Sequence, residues 1–273
     1  MADRLARNAS DPSVDGELVA WHEAGQAGIL VSGAERTRVG GSHPALGGGR
    51  LAVVNAGGGI DVTSTTGDGF ARSVPAPGAD SVAVSASWLV WRVREGAEDA
   101  LYATALAGGP TTEFARAPEL GRPALQGERV AFHVVSTRSG RIVVFDLAAG
   151  RGATVRQERR ALLLNPSLRG DRILYVRAVY SRQELRLGPV RRRNPRRDRR
   201  LWSTVPTGRR DAGHEPGDVH KRHGHPRRLW PRPQRGVSPT LWTTALGEDH
   251  AYVTRLRQIA GRPLVAEILR VPR

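Results

Sequence analysis

The sequence predicts an all-β chain, a six-bladed β-propeller of four-stranded antiparallel blades, and three observations predict it. A motif of the form Pro-x-apolar-x-Gly-x-x-apolar-x-aromatic is shared by residues 11–21, 122–132 and 165–175. Weaker copies extend the repeat to a period near 40 residues, the length of a four-stranded unit that cannot bury its faces alone. Within each copy the apolar residues fall two apart, which places them on one face of a strand.

The elements follow in order from the first apolar residue of each copy. These anchors are Val14, Leu46, Val84, Leu125, Leu168 and Leu246, spaced 32, 38, 41, 43 and 78 residues apart. Five residues on come Val19, Leu51, Leu89, Val130, Ile173 and Ala251, and seven on come Trp21, Val53, Trp91, Phe132, Tyr175 and Val253. Both sets share the buried face of a second strand, and Gly16, Gly48, Gly127 and Gly170 supply the tight turn before it. Ile29, Ile60, Leu101, Ile142 and Leu185, 14 to 17 residues after their anchors, each open a third strand that ends at a glycine turn. Short stretches such as residues 112–116 and 153–156 supply a fourth.

The third and last copies depart from the pattern. Val82 and Ala86, then Thr244 and Glu248, stand where Pro and Gly are usual. The wide gap before the last copy contains residues 191–236, Arg- and Pro-rich with no alternating apolar run, read as an insertion loop in a single domain spanning 1–273. A hidden seventh blade there is the alternative. A ring of blades also needs its ends joined, since an open edge strand invites aggregation. Residues 4–7 resemble the fourth-strand stretches 69–72 and 113–116, so Leu5 to Arg7 are expected to pair with the final strand near residues 264–271.

These residues resemble the TolB-like, WD40-like (PD40-type) six-bladed propellers, whose blades carry a Pro-Asp-type turn before an aromatic-ended strand. Residues 123–150 and 166–188 carry the likeness most clearly. The resemblance implies protein interaction, often outside the cytoplasm. It is a resemblance of fold, because core and turn positions are shared by many unrelated functions.

Composition narrows the classes further. The 273 residues include no cysteine, which excludes disulfides, thiolate metal sites and a cysteine nucleophile. No apolar run approaches the roughly 20 residues of a membrane-spanning helix. Residues 1–10 form neither a signal nor a transit peptide, so the chain as written reads as cytoplasmic, and an upstream start would make it extracytoplasmic. The formal charge is +16, with 42 Lys+Arg against 26 Asp+Glu. Residues 190–235 hold 15 basic and 4 acidic side chains, so most of the excess belongs to one segment. Lys221 is the only lysine, and abundant Arg, Gly, Ala and Pro is what a GC-rich coding sequence yields without selection.

Candidate contact residues are Arg191, Arg192, Arg193, Arg196, Arg197, Arg199 and Arg200, near Trp202 and Trp230, since arginines with interleaved aromatics neutralise phosphates and stack on bases. Trp88, off the repeat's core face, sits at a turn open to exposure and is the other candidate. His214, His220, His223 and His225 match no compact metal-ligand spacing, and neighbouring arginines repel a cation. His22 and His133 are expected to point away from the buried face by two-residue alternation. Gly-x-Ser-x-Gly is absent, residues 40–44 failing at the last glycine. The glycine runs 47–49 and 57–59 lack the helix and lysine of a phosphate-binding loop. The chain is therefore read as a non-enzymatic binding or scaffold module for a protein or small ligand, monomeric, with no cofactor and no metal. Two other readings remain open. One is a nucleic-acid-associated protein binding through the basic segment. The other is a propeller hydrolase or lyase with a composite site of Asp, Glu, Asn or His at the channel mouth, for which no repeat-linked set is evident.

Overall fold

The computed structural model describes residues 2–23, 28–32, 35–136, 139–179, 182–191, 195–204, 240–257 and 265–273. Strand β1 (Asp3–Arg7) leads into blade one, formed by β2 (Ala9–Asp15), β3 (Leu18–Glu23), β4 (Gly28–Ser32) and β5 (Glu35–Val39). Blade two comprises β6 (Ser42–Gly47), β7 (Arg50–Val54), β8 (Gly59–Ser64) and β9 (Ala71–Pro75). Blade three has β10 (Ala79–Val84), β11 (Trp88–Glu95), β12 (Glu98–Ala105) and β13 (Thr112–Ala117). Blade four holds β14 (Ala124–Gln126), β15 (Arg129–Ser136), β16 (Ser139–Asp146) and β17 (Arg151–Arg159). Blade five is β18 (Leu162–Arg169), β19 (Arg172–Val179), β20 (Arg182–Pro189) and β21 (Arg199–Ser203). Blade six takes β22 (Thr240–Leu246), β23 (His250–Arg257) and β24 (Val265–Pro272) from the end of the chain, and its fourth strand is β1. The fold is thus an all-β six-bladed propeller of four-stranded antiparallel sheets.

The repeat fixes the register of every first hairpin. Val14 pairs with Val19, Leu46 with Leu51, Val84 with Leu89, Leu125 with Val130, Leu168 with Ile173 and Leu246 with Ala251. Gly16, Gly48, Gly127 and Gly170 hold φ between 57° and 61°, the left-handed region that a side chain disfavours. All six anchors line the central channel. Just before them stand Ser13, Ala45, Ala83, Ala124, Ser167 and Ala245, small enough to let neighbouring inner strands touch. Ser13 Oγ accepts the Leu46 N–H at 2.8 Å, and Ser167 Oγ accepts that of Leu246 at 3.0 Å, stitching blade one to two and five to six. The space left in the channel is about 70 Å³.

Packing between blades comes from the aromatic positions. Trp21, Trp91, Phe132 and Tyr175 are each at most 3% exposed, in clusters that join residues of successive blades. The ring closes as the sequence suggests: Asp3, Arg4, Ala6 and Arg7 pair with Arg270, Leu269, Ile268 and Glu267.

Two features differ from the sequence reading. Arg199–Ser203 is the outer strand of blade five rather than part of an insertion, because its backbone completes the edge of β20. Asp198, in the turn before it, is fully buried against Arg156, with Nε–Oδ2 at 2.7 Å, and accepts the Tyr175 hydroxyl at 2.8 Å. Arg156 also donates to the carbonyls of Pro189 and Val190, so one buried guanidinium clasps the start of the segment to blades four and five. Residues 205–239 lie outside the described residues.

Candidate functional site

One repeat position carries polar side chains in all six blades: Asp11, His43, Ser81, Arg122, Asn165 and Thr243, each three residues before its anchor. They sit where the inner strands begin, at one mouth of the channel. Five inner strands lose regular register there, between Ser10 and Ser13, Ser42 and Ala45, Ala79 and Ser81, Leu164 and Ser167, and Leu241 and Thr244. In three of them the following proline has no N–H to give the ladder, and the extra residue bulges. Asp11, His43 and Asn165 take φ of 56°, 50° and 46°, a conformation that L-residues adopt at a cost and that recurs at functional sites.

Arg122 crosses this mouth. From blade four its Nη2 donates to Pro44 O of blade two at 3.1 Å, and its Nη1 lies 3.5 Å from Asp11 Oδ1 of blade one without a hydrogen bond. Burial and the nearby charge of Arg92 lower the Arg122 pKa, and Asp11 opposes them. His43 Nδ1 lies 3.2 Å from Asp11 Oδ2, and the His43 ring stacks on His22 with centroids 5.4 Å apart. Burial pushes the Asp11 pKa up, but the His43 hydrogen bond, the Arg122 charge and the Thr243 hydroxyl outweigh it and hold the carboxyl at about 2. The Asp11 N–H donates to Thr243 Oγ1 at 3.1 Å, which shares a 2.8 Å hydrogen bond with Thr254. Ser81 Oγ, buried, has no partner.

A cavity of about 160 Å³ opens beside the mouth on the same face. His133, buried, stands in its wall and accepts the Asn165 N–H at Nδ1, 2.9 Å away. Burial, aided by the charge of Arg92, lowers its pKa to about 3, so it is neutral at physiological pH. His133 does face away from Phe132, as alternation requires, but it is not exposed, because the next blade covers the second face of each sheet.

The sequence candidates scatter away from this mouth. Arg191, Arg197, Arg199 and Arg200 are exposed along the outer edge of blade five, where Arg200 reaches Glu184 at 3.5 Å. Arg192 and Arg193 lie outside the described residues, as do His214, His220, His223, His225 and Trp230. Nothing is described of the Arg196 side chain. Trp88 is not at an exposed turn: it opens β11, half-buried against the cluster of Val90, Leu101 and Phe132. Trp242 is the exposed large apolar side chain among the described residues, at 41%. Sequence reasoning passed over both the ring and Trp242, although the ring was present in the repeat alignment at a fixed offset. Among the described residues no group of three or more His, Asp or Glu is placed to hold a metal ion. No helix among them is long and apolar enough to cross a membrane.

The fold resembles those of solved TolB and peptidase propellers. A crystal structure of TolB from Acinetobacter baumannii matches over 98% of this chain and 63% of its own, with a TM-score of 0.53 and 11% identity. An acylaminoacyl peptidase from Pyrococcus horikoshii matches over 92% of this chain and 43% of its own, with a TM-score of 0.55 and 12% identity. The chain therefore spans less than two thirds of either, and at such identities the likeness is one of fold alone. No family model matches the sequence, and no match is found among curated proteins.

Proposed function

We propose that this chain is a non-enzymatic binding propeller that receives a polar ligand, or an extended segment of a protein partner, at the channel mouth ringed by Asp11, His43, Ser81, Arg122, Asn165 and Thr243. The observation that carries this reading is Arg122, a largely buried guanidinium spanning the mouth with one nitrogen lacking a hydrogen-bond acceptor. A carbonyl or carboxylate oxygen arriving there completes its bonding, and a buried donor left unmade costs about 1–3 kcal/mol. The channel below, about 70 Å³, suits water better than a drug-sized ligand, whose sites run to roughly 300–1,000 Å³. The small channel volume supports binding at the mouth rather than within the channel.

The local chemistry favours holding over turnover. Asp11, with a pKa of about 2, is a poor proton acceptor near neutral pH. The neighbouring serines do not offer His43 a nucleophile: Ser10 donates to Asp11, Ser13 to Leu46 O and Ser42 to Val54 O. The test is a thermal-shift screen of polar metabolites and short peptides on the full chain, on Arg122→Gln and on a chain lacking 205–239. A ligand lost with Arg122→Gln and kept by the deletion supports the reading. A ligand lost with the deletion and kept by Arg122→Gln refutes it in favour of the basic segment.

A further inference from the structure

The 160 Å³ cavity beside the mouth has a charge balance unlike that of the chain as a whole. Its walls carry Asp80, Asp99 and Glu119 against Arg92 and Arg94, with His133 neutral. Arg92 is bonded through all three of its nitrogens and Arg94 through Nη1 alone. Arg92 forms a two-pronged pair with Asp80, at 2.8 Å on each prong, and its third nitrogen donates to Leu120 O at 2.6 Å. Arg94 donates to Asp99 at 2.9 Å and to Pro118 O at 2.8 Å, while the second Asp99 oxygen accepts the Leu120 N–H at 2.8 Å. Glu119 makes no side-chain hydrogen bond or ion pair in this wall, and burial together with the charge of Asp99 raises its pKa against the opposing charges of Arg92 and Arg94. The cavity thus holds one carboxylate more than its own cations match, within a protein of net charge +16.

The remaining wall is formed by Leu120, Leu164, Asn165 and one aromatic side chain, Trp242. Trp242, 41% exposed, borders the cavity, and an indole face attracts a cation by about 0.5–2 kcal/mol depending on desolvation. A space near 150 Å³ accepts a group the size of benzene, which is also the size of one long side-chain end. We propose that this cavity binds a cationic, side-chain-sized group, an alkylammonium or guanidinium, with Glu119 as its counter-charge and Trp242 as its aromatic wall. Its source is either a small amine or a Lys or Arg side chain of a partner. The cavity adjoins the ring at the mouth, with Asn165 common to both, but its occupancy does not depend on Arg122 gaining an acceptor.

The experiment titrates the full chain with n-butylammonium, agmatine, n-butanol and a short peptide with one central lysine, read by calorimetry and by the NMR indole N–H signal of Trp242. Glu119→Gln is expected to weaken the cationic probes at least tenfold while leaving the melting temperature within 2 °C. Trp242→Leu, at an exposed position, is expected to weaken them several-fold and serves as the second test if Glu119→Gln folds poorly. Binding of the free amines alone assigns a small ligand, and tighter binding of the lysine peptide assigns a partner side chain. The proposal is overturned if no cationic probe shifts the Trp242 signal, if n-butanol binds as well as n-butylammonium, or if both variants bind like the parent.

Discussion

Removing residues 1–8 tests how the ring is held shut. Strand β1 contributes four register pairs to β24, and each antiparallel pair is worth roughly 0.2–1 kcal/mol. Leu5 and Ala6 pack on the cluster of Trp21, Ile29 and Ile268, adding about 1–2 kcal/mol of apolar burial. The Arg4–Glu267 and Asp3–Arg270 ion pairs have one or both partners exposed and add little. The sum is about 2–6 kcal/mol, and in a chain of this size each kcal/mol moves the melt by about 2–4 °C. The truncated chain should melt roughly 10 °C lower by circular dichroism, and its bared β24 edge should promote association on gel filtration. Ala6→Glu in the full-length chain, which buries a carboxylate beside Trp21, should move the melt the same way. A truncated chain that stays monomeric and melts within 2 °C of the parent would refute closure through β1 as a source of stability.

Arg156→Met leaves Asp198 buried without its cation and should cost about 3–5 kcal/mol by urea denaturation, whereas Tyr175→Phe, which removes one hydrogen bond to that carboxylate, should cost about 1–2 kcal/mol. Equal losses would mean that the guanidinium does not hold the clasp. Acid should destabilise the fold in two windows. The His133 pKa is lowered to about 3 in the folded state, so the unfolded chain binds the extra proton and stability falls from about pH 6.5 downward. The depressed Asp11 pKa contributes stability above its unfolded value near 4 that is lost as pH falls toward 2, and Asp11→Asn should flatten that lower window alone. Gly47→Ala should cost about 1–3 kcal/mol, because a Cβ there falls 2.1 Å from Val84 O of the next blade. Gly16→Ala meets no atom within 4 Å and should show only the smaller strain of a positive φ.

What the sequence by itself determined is the blade. Anchors, paired residues five positions on and turn glycines were readable because strand alternation and left-handed turns impose the same residue classes on every copy. The six hairpin registers follow from that spacing, and so does closure through residues 4–7. What only the tertiary structure decided is what lies across the ring and between blades. The ring position was invisible as a motif because six different polar residues occupy it, and several answer to neighbours far away in sequence, as Arg122 does to Asp11 and Pro44. His133 shows the same limit, since alternation sets the face a side chain takes but not whether another sheet covers that face. The basic segment shows a related limit. Charge is legible residue by residue, but the buried environment that turns Asp198 and Arg156 into a clasp, or leaves Glu119 unmatched beside Trp242, comes from blades meeting in space.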